Sequence, residues 1–137
     1  MVTDTPIVCG GFSSSRTHDQ CYMMDLEKRS WKFLTNMTTA RYGSASVAID
    51  RSLFIVGGFD GNGYYANSTE YVRNDGFVFN GPDFDRVGHC MVTLPSGKVM
   101  IIGGTSRKGL SCTISLDQKI VQRYIDFDQS RKHPNTF

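Results

Sequence analysis

The chain has 137 residues, a formal net charge of +2, and a composition that is 39% hydrophobic and 12% aromatic. So small and dispersed a charge leaves no footprint for nucleic acid, and Arg131-Lys132-His133, the one tight basic group, reads as solvated surface. No apolar run approaches the roughly 18 residues of a membrane span and no signal-peptide pattern follows Met1, so a soluble cytoplasmic protein is expected, with an extracellular one as the alternative.

Taken in order, the first element is a strand over about 5–10, entered through Pro6 and closed by Gly10-Gly11. A glycine pair there lets the backbone turn and come close to a neighbour where a Cβ would clash. Ser13 to Gln20 reads as a polar loop containing His18-Asp19, and strands follow over 19–25 and 31–34, separated by the turn Glu27-Lys28-Arg29-Ser30. The second unit opens with Arg41-Tyr42-Gly43 and gives strands over 43–49, 53–57, 67–73 and 77–80, with Gly57-Gly58 closing the second of them. Asn74-Asp75-Gly76 is a hairpin turn whose glycine supplies the positive φ. The third unit opens with Arg86-Val87-Gly88, gives strands over 87–94, 98–103, 111–117 and 121–127, and carries Gly103-Gly104.

From Gly10 to Gly57 is 47 residues, and from Gly57 to Gly103 is 46. A fixed period of that size means stacked supersecondary units of the propeller kind. The first unit has no opening strand of its own. The domain reading is therefore unit 1 at about 1–40, unit 2 at about 41–84 and unit 3 at about 85–130. Roughly three units fall short of the four to eight that propellers use, so either the chain is a piece of a longer propeller or further copies or blades complete the ring. Exposed flanks make self-association an expectation.

Counting on from the glycine pairs, Met24 stands fourteen residues after Gly10 and Tyr71 fourteen after Gly57, which places large apolar side chains at one strand position. Trp31 is the single tryptophan; Phe77 or Phe79 supplies the equivalent bulk in unit 2, and Tyr124 is the candidate in unit 3. This order, with Arg-x-Gly, Leu-Phe-Ile-Val-Gly-Gly-Phe-Asp-Gly and Asn-Ser-Thr-Glu-Tyr all present between Arg41 and Tyr71, resembles the kelch repeat. The repeats look most like those of BTB-kelch proteins. The resemblance implies an all-β fold of four-stranded antiparallel blades in an incomplete ring, with Gly10, Gly11, Gly57, Gly58, Gly103, Gly104, Trp31 and Tyr71 as structural positions. It also implies a protein partner, with a role as substrate adaptor or actin-binding protein, or else as a secreted or cell-surface adhesion or carbohydrate-binding protein. No BTB or BACK region stands in these residues, so a ligase role would rest on sequence outside them.

The resemblance puts Arg41, Arg86 and Ser68 where kelch proteins can face a partner. Arginine suits that task because its planar fork meets a carboxylate at two points, but the same fork could lock loops to the neighbouring blade. Phe59, Tyr64 and Tyr65 lie in a glycine-rich loop that a rigid sheet would present, which makes them candidate partner contacts; packing back on the adjacent blade is the competing expectation. The corresponding loop of unit 3 carries Arg107-Lys108.

Catalytic, cofactor and metal sites are not expected. There is no Gly-x-Ser-x-Gly elbow, no paired metal histidines, no phosphate-binding glycine motif, and no match to the ligand motifs of the copper oxidases that resemble galactose oxidase. His18, His89 and His133 have no ligand spacing, and His89 reads as structural. Cys9, Cys21, Cys90 and Cys112 include no Cys-x-x-Cys; buried free thiols are the favoured state, with Cys9–Cys21 the first pair to test for a disulfide. Asn36-Met37-Thr38 and Asn67-Ser68-Thr69 are glycosylation sequons, and with the cysteines they keep the extracellular alternative open.

Overall fold

A computed structural model describes residues 5–95, 97–105, 111–115 and 120–125, the last two stretches as backbone strands only. Arg107-Lys108 and Arg131-Lys132-His133 lie outside the described residues, and of Cys112 and Tyr124 only the strand positions are described. The described residues contain no helix. They form β1 (Ile7–Cys9), β2 (Phe12–Ser13), β3 (Arg16–Thr17), β4 (Gln20–Asp25), β5 (Ser30–Asn36), β6 (Ala45–Ile49), β7 (Ser52–Val56), β8 (Thr69–Arg73), β9 (Val78–Asn80), β10 (Val87–Thr93), β11 (Val99–Thr105), β12 (Ser111–Ser115) and β13 (Ile120–Ile125). Every pairing among the described strands is antiparallel, and all but β1 with β4 join consecutive strands. The sheets are β1-β4-β5, β6-β7-β8-β9 and β10-β11-β12-β13, with a separate β2-β3 hairpin. They are open blades, not a closed ring.

The sheets stack through alternate side chains, as a period of two requires. Phe54, Val56 and Tyr71 point from the second sheet toward the third, where they enclose Val99 and Ile101; Val47, Phe79 and Met91 pack around them. Phe54 and Tyr71 meet edge to face at 4.4 Å, and Phe79 stacks on Tyr71 at 4.6 Å. Burial pushes the Tyr71 hydroxyl up to about 12. From the other face of the second sheet, Ile55 and Val72 meet Cys21 and Met37 of the first unit, with Cys9 and Leu34 alongside.

Register fixes equivalences that counting misjudges. Tyr71 lies opposite Phe54, the second residue before Val56, and the matching partner in the first sheet is Met23 opposite Ile7. Met23, not Met24, therefore takes the Tyr71 position, because the loop after Gly10-Gly11 is one residue shorter. By the same register Cys21 matches Thr69, Tyr22 matches Glu70 and Gln20 matches Ser68. In the third sheet Cys112 lies opposite Ile101, the place of Glu70 opposite Ile55. Phe79 is the packed aromatic of β9, whereas Phe77 is 57% exposed and Trp31, on the outward face of β5, is 48% exposed. Tyr124 falls on β13 two residues beyond Gln122, the residue paired with Thr113 at the position of Tyr71.

Two expectations are corrected. The loop from Ser13 to Gln20 contains the β2-β3 hairpin, turned by Ser14 and Ser15 at φ of 51° and 61°. The favoured free-thiol state also fails: Cys9 and Cys21, directly opposite on β1 and β4, form a disulfide, and Cys90 is exposed rather than buried.

Candidate functional site

The glycine pairs all lie at one end of the sheets, and the first glycine of each of the first two pairs, Gly10 and Gly57, closely approaches the following unit. Gly11 N–H donates to the Arg41 carbonyl at 2.9 Å, and Gly58 N–H donates to the Arg86 carbonyl at 2.8 Å. A Cβ on Gly10 would come 2.5 Å from the Arg41 carbonyl, and one on Gly57 would run into the Arg86 carbonyl. Both glycines have positive φ, +72° and +75°, so no other residue fits that conformation without strain. Gly103 shares the backbone geometry at +72° but meets nothing within 4 Å among the described residues. Gly58 and Gly104 approach their own unit instead, at the carbonyls of Tyr42 and Val87.

Arg41 is the centre of the lock between the first two sheets. Its side chain is 0% exposed and donates to the Gly57 and Ser68 carbonyls at 3.2 and 2.7 Å, to Ser68 Oγ at 2.9 Å and to Glu70 Oε2 at 2.7 Å. Glu70, also 0% exposed, accepts the backbone N–H groups of Thr38 and Thr39 at 2.6 and 3.2 Å. One carboxylate thus joins the opening arginine, the strand β8 and the crossover from the first sheet. Arg86 is 2% exposed, donates to the Gly103 carbonyl, and lies over the Phe84 ring at 5.6 Å. The expectation that Arg41 and Arg86 face a partner is not met, because both side chains are enclosed; the geometry is that of the loop lock. Ser68 is half-buried and committed to Arg41.

Next to Arg86, His89 is buried, and desolvation followed by the nearby guanidinium holds its imidazole down to about 4, against a smaller opposing contribution from the Val56 backbone. Neutral at physiological pH, it fills space beside Gly57. His18 shares a 2.6 Å hydrogen bond with Ser13 Oγ that ties the β2-β3 hairpin to its base. Among the described residues no group of three His, Cys, Asp or Glu side chains could hold a metal ion.

Part of what remains accessible at this end is aromatic. Phe12, Tyr42, Phe59 and Tyr65 form a continuous row with centroid separations of 5.2, 5.4 and 5.6 Å. Paired backbone holds the row together: Tyr42 bridges Phe59, and Phe59 bridges Tyr65. Asp60 shapes the loop by accepting Asn62 and Tyr64 N–H at 2.8 and 3.0 Å. Phe12 is 57% exposed and Tyr64 is 68% exposed, whereas Phe59 and Tyr65 are half-buried by their stacking on each other. Phe12 and Tyr42 were not legible as site residues, since they come from different units and meet only once the sheets stack. The side chains of Asn36 and Asn67 are both exposed, Asn36 at the end of β5 and Asn67 ahead of β8.

The kelch motif matches twice, at residues 7–38 and 40–72. Two kelch repeats are present in this chain. The first match covers the three-stranded sheet and its crossover, and the second covers the second unit from just before Arg41 to Val72 in β8. No curated protein matches the chain. Kelch repeats generally mediate protein–protein interaction, and the third sheet continues the same blade order beyond the matched residues.

Proposed function

We propose that this chain is a protein-interaction module whose contact face is the aromatic row at the glycine-pair end together with Tyr64 beside it, with Phe12 and Tyr64 as the exposed anchors. The row carries the reading: aromatic side chains offer large contact area at low entropic cost, and here they stand on loops braced by a buried ion pair. A substrate adaptor or an actin-binding protein would use such a face. A photo-crosslinking residue at position 64 should capture a partner that the same residue at position 26, in the β4–β5 turn at the opposite end, does not. Phe12→Ala should weaken that capture without lowering thermal stability. Equal capture from both positions would rule the face out.

A second reading is favoured by a separate observation. The Cys9–Cys21 disulfide, together with exposed Asn36 and Asn67, supports a secreted or cell-surface adhesion or carbohydrate-binding role, since disulfides persist in oxidising compartments. Mass spectrometry of the natural product decides between the two. Glycan on either asparagine and an intact disulfide support the extracellular protein; bare asparagines and free thiols support the cytoplasmic one.

A further inference from the structure

The sequence holds two asparagine–glycine pairs, Asn62-Gly63 and Asn80-Gly81. Asparagine is chemically labile ahead of glycine, because the next backbone nitrogen can reach the side-chain carbonyl carbon when no Cβ crowds its approach. The two pairs are alike in sequence and unlike in surroundings.

Asn80 ends β9, where it lies opposite Glu70 of β8. Gly81 N–H then donates to the Thr69 carbonyl at 3.0 Å, and Thr69, Glu70 and Tyr71 are all buried. Space is short as well: a Cβ on Gly81 would come 2.6 Å from Thr69 Oγ1 and 2.8 Å from the Tyr71 ring. Bringing the Gly81 nitrogen onto the side chain of Asn80 therefore requires the β8–β9 ladder to open. Asn62 sits instead in the loop between β7 and β8, and Gly61, Asn62, Gly63 and Tyr64 are all exposed. A Cβ on Gly61 or Gly63 would meet nothing within 4 Å. Gly63 N–H donates to the Asp60 carbonyl at 3.2 Å, a bond that closes a single exposed turn. Opening such a turn costs little beside opening a buried ladder.

We propose that Asn62 is a self-modification site: in the folded chain it converts to aspartate and isoaspartate and the isoaspartate loosens its loop, whereas Asn80 is held inert by its sheet. The Gly63 nitrogen gives up its proton and attacks the Asn62 side-chain carbonyl carbon. A nitrogen–carbon bond forms, the side-chain amide bond breaks, and the amide nitrogen leaves as ammonia with that proton. Water then opens the cyclic imide, its hydroxyl staying on the opened carbon and its proton returning to the Gly63 nitrogen. Opening at the side-chain carbonyl leaves aspartate; opening at the main-chain carbonyl leaves isoaspartate, in which the chain runs through the former side chain. One water enters and one ammonia leaves, with no oxidant or reductant. Both products add a carboxylate to a stretch where Asp60 is the only charged residue between Arg51 and Glu70. Isoaspartate also adds a carbon to the backbone of a turn held by Asn62 and Tyr64 N–H on Asp60 Oδ1, at 2.8 and 3.0 Å, and by Asp60 N–H on the Tyr64 carbonyl at 2.8 Å. Those bonds lose their register, and the loop that carries Tyr64 and Tyr65 opens. The modification needs no partner, so it holds or fails independently of the contact face proposed above.

The full chain, kept at neutral pH and physiological temperature, is followed by peptide mapping with electron-transfer fragmentation. Isoaspartate is counted separately, by methyl transfer from labelled S-adenosylmethionine with an isoaspartyl methyltransferase. In urea both asparagines should react at comparable rates. In the folded chain Asn62 should react at least roughly tenfold faster than Asn80, and Asn62→Gln should remove most of the methyl-accepting signal. In the isoaspartate form, separated by chromatography, the Asp60 and Tyr64 amides should exchange at least roughly tenfold faster than in the Asn62→Asp chain, which has the charge without the longer backbone. The proposal is overturned if neither asparagine reacts in the folded chain, if both react alike there, or if their difference persists in urea. A methyl signal that survives Asn62→Gln, or equal amide exchange in the isoaspartate and Asn62→Asp forms, would overturn it too.

Discussion

Phe54 and Ile7 occupy the same register position, opposite Tyr71 and Met23, but Phe54 is fully buried and Ile7 is only half-buried. The contrast extends across both sheets. Ile55 and Val72 are buried at 2% and 0%, whereas Val8, at the place of Ile55, is 49% exposed and Tyr22, beside it on β4, is 39% exposed. The third sheet repeats the pattern on its far face, where Val92 and Ile102 are 44% and 40% exposed. A kelch blade is thus only half built by its own residues; the neighbour on each face supplies the rest of its core and caps its glycine turn. The middle sheet alone has neighbours on both faces among the described residues, and this difference can be broken at several points.

The largest effect is expected at the Arg41–Glu70 ion pair, which ties the crossover from the first sheet to the second. Removing one partner of a buried pair leaves the other charged and unpaired, so Glu70→Ala or Arg41→Ala should cost about 3–5 kcal/mol in urea unfolding. Glu70→Ala also strands the Thr38 and Thr39 N–H groups. The Arg73–Asp75 pair, with both side chains about half exposed at 47% and 53%, serves as the control; Asp75→Ala should cost less than about 1 kcal/mol.

Next come the glycines. Gly57→Ala combines positive φ with collision against the Arg86 carbonyl and should cost about 2–4 kcal/mol, while Gly103→Ala meets only the backbone penalty of about 1–2 kcal/mol. Equal losses at the two positions would mean that close approach to the next blade is not what holds glycine at Gly57.

A smaller effect follows from His89, whose folded-state value of about 4 lies below the ordinary 6.5. Between those values the unfolded chain binds a proton that the folded chain refuses. The contribution is therefore complete above pH 6.5 and is lost as pH falls toward 4. The full shift corresponds to roughly 3 kcal/mol, and screening by solvent reduces it to about 2. Unfolding midpoints measured across that window should fall with pH in the parent chain, and less steeply in His89→Phe.

Much of this was legible in the sequence because kelch repeats announce themselves at fixed spacing. The glycine pairs and Arg-x-Gly elements mark strand ends whatever the neighbour is, and strands appear at each predicted place. What escaped depends on contacts between units. Glu70 is an ordinary strand glutamate until the stacking brings Thr38, Thr39 and Arg41 to it. Arg41 looked equally fit for a partner or a lock, because a guanidinium has the same chemistry in both and only burial separates them. The aromatic row is drawn from three stretches that lie up to 53 residues apart, from Phe12 to Tyr65. The one-residue misplacement of Met24 came from loop length, which the strand register settles and a count does not. The β2-β3 hairpin carries no glycine at its turn, since Ser14 and Ser15 take the left-handed conformation themselves.

Hydrogen exchange at four matched amides tests most directly the claim that neighbours complete each blade. Phe54 and Val56 in β7 hold the same register positions as Ile7 and Cys9 in β1, but β6 covers the first pair and no described strand covers the second. The account predicts that Phe54 and Val56 exchange only through unfolding of the sheet, and at least roughly a hundredfold more slowly than Ile7 and Cys9. Comparable protection at all four amides would contradict it.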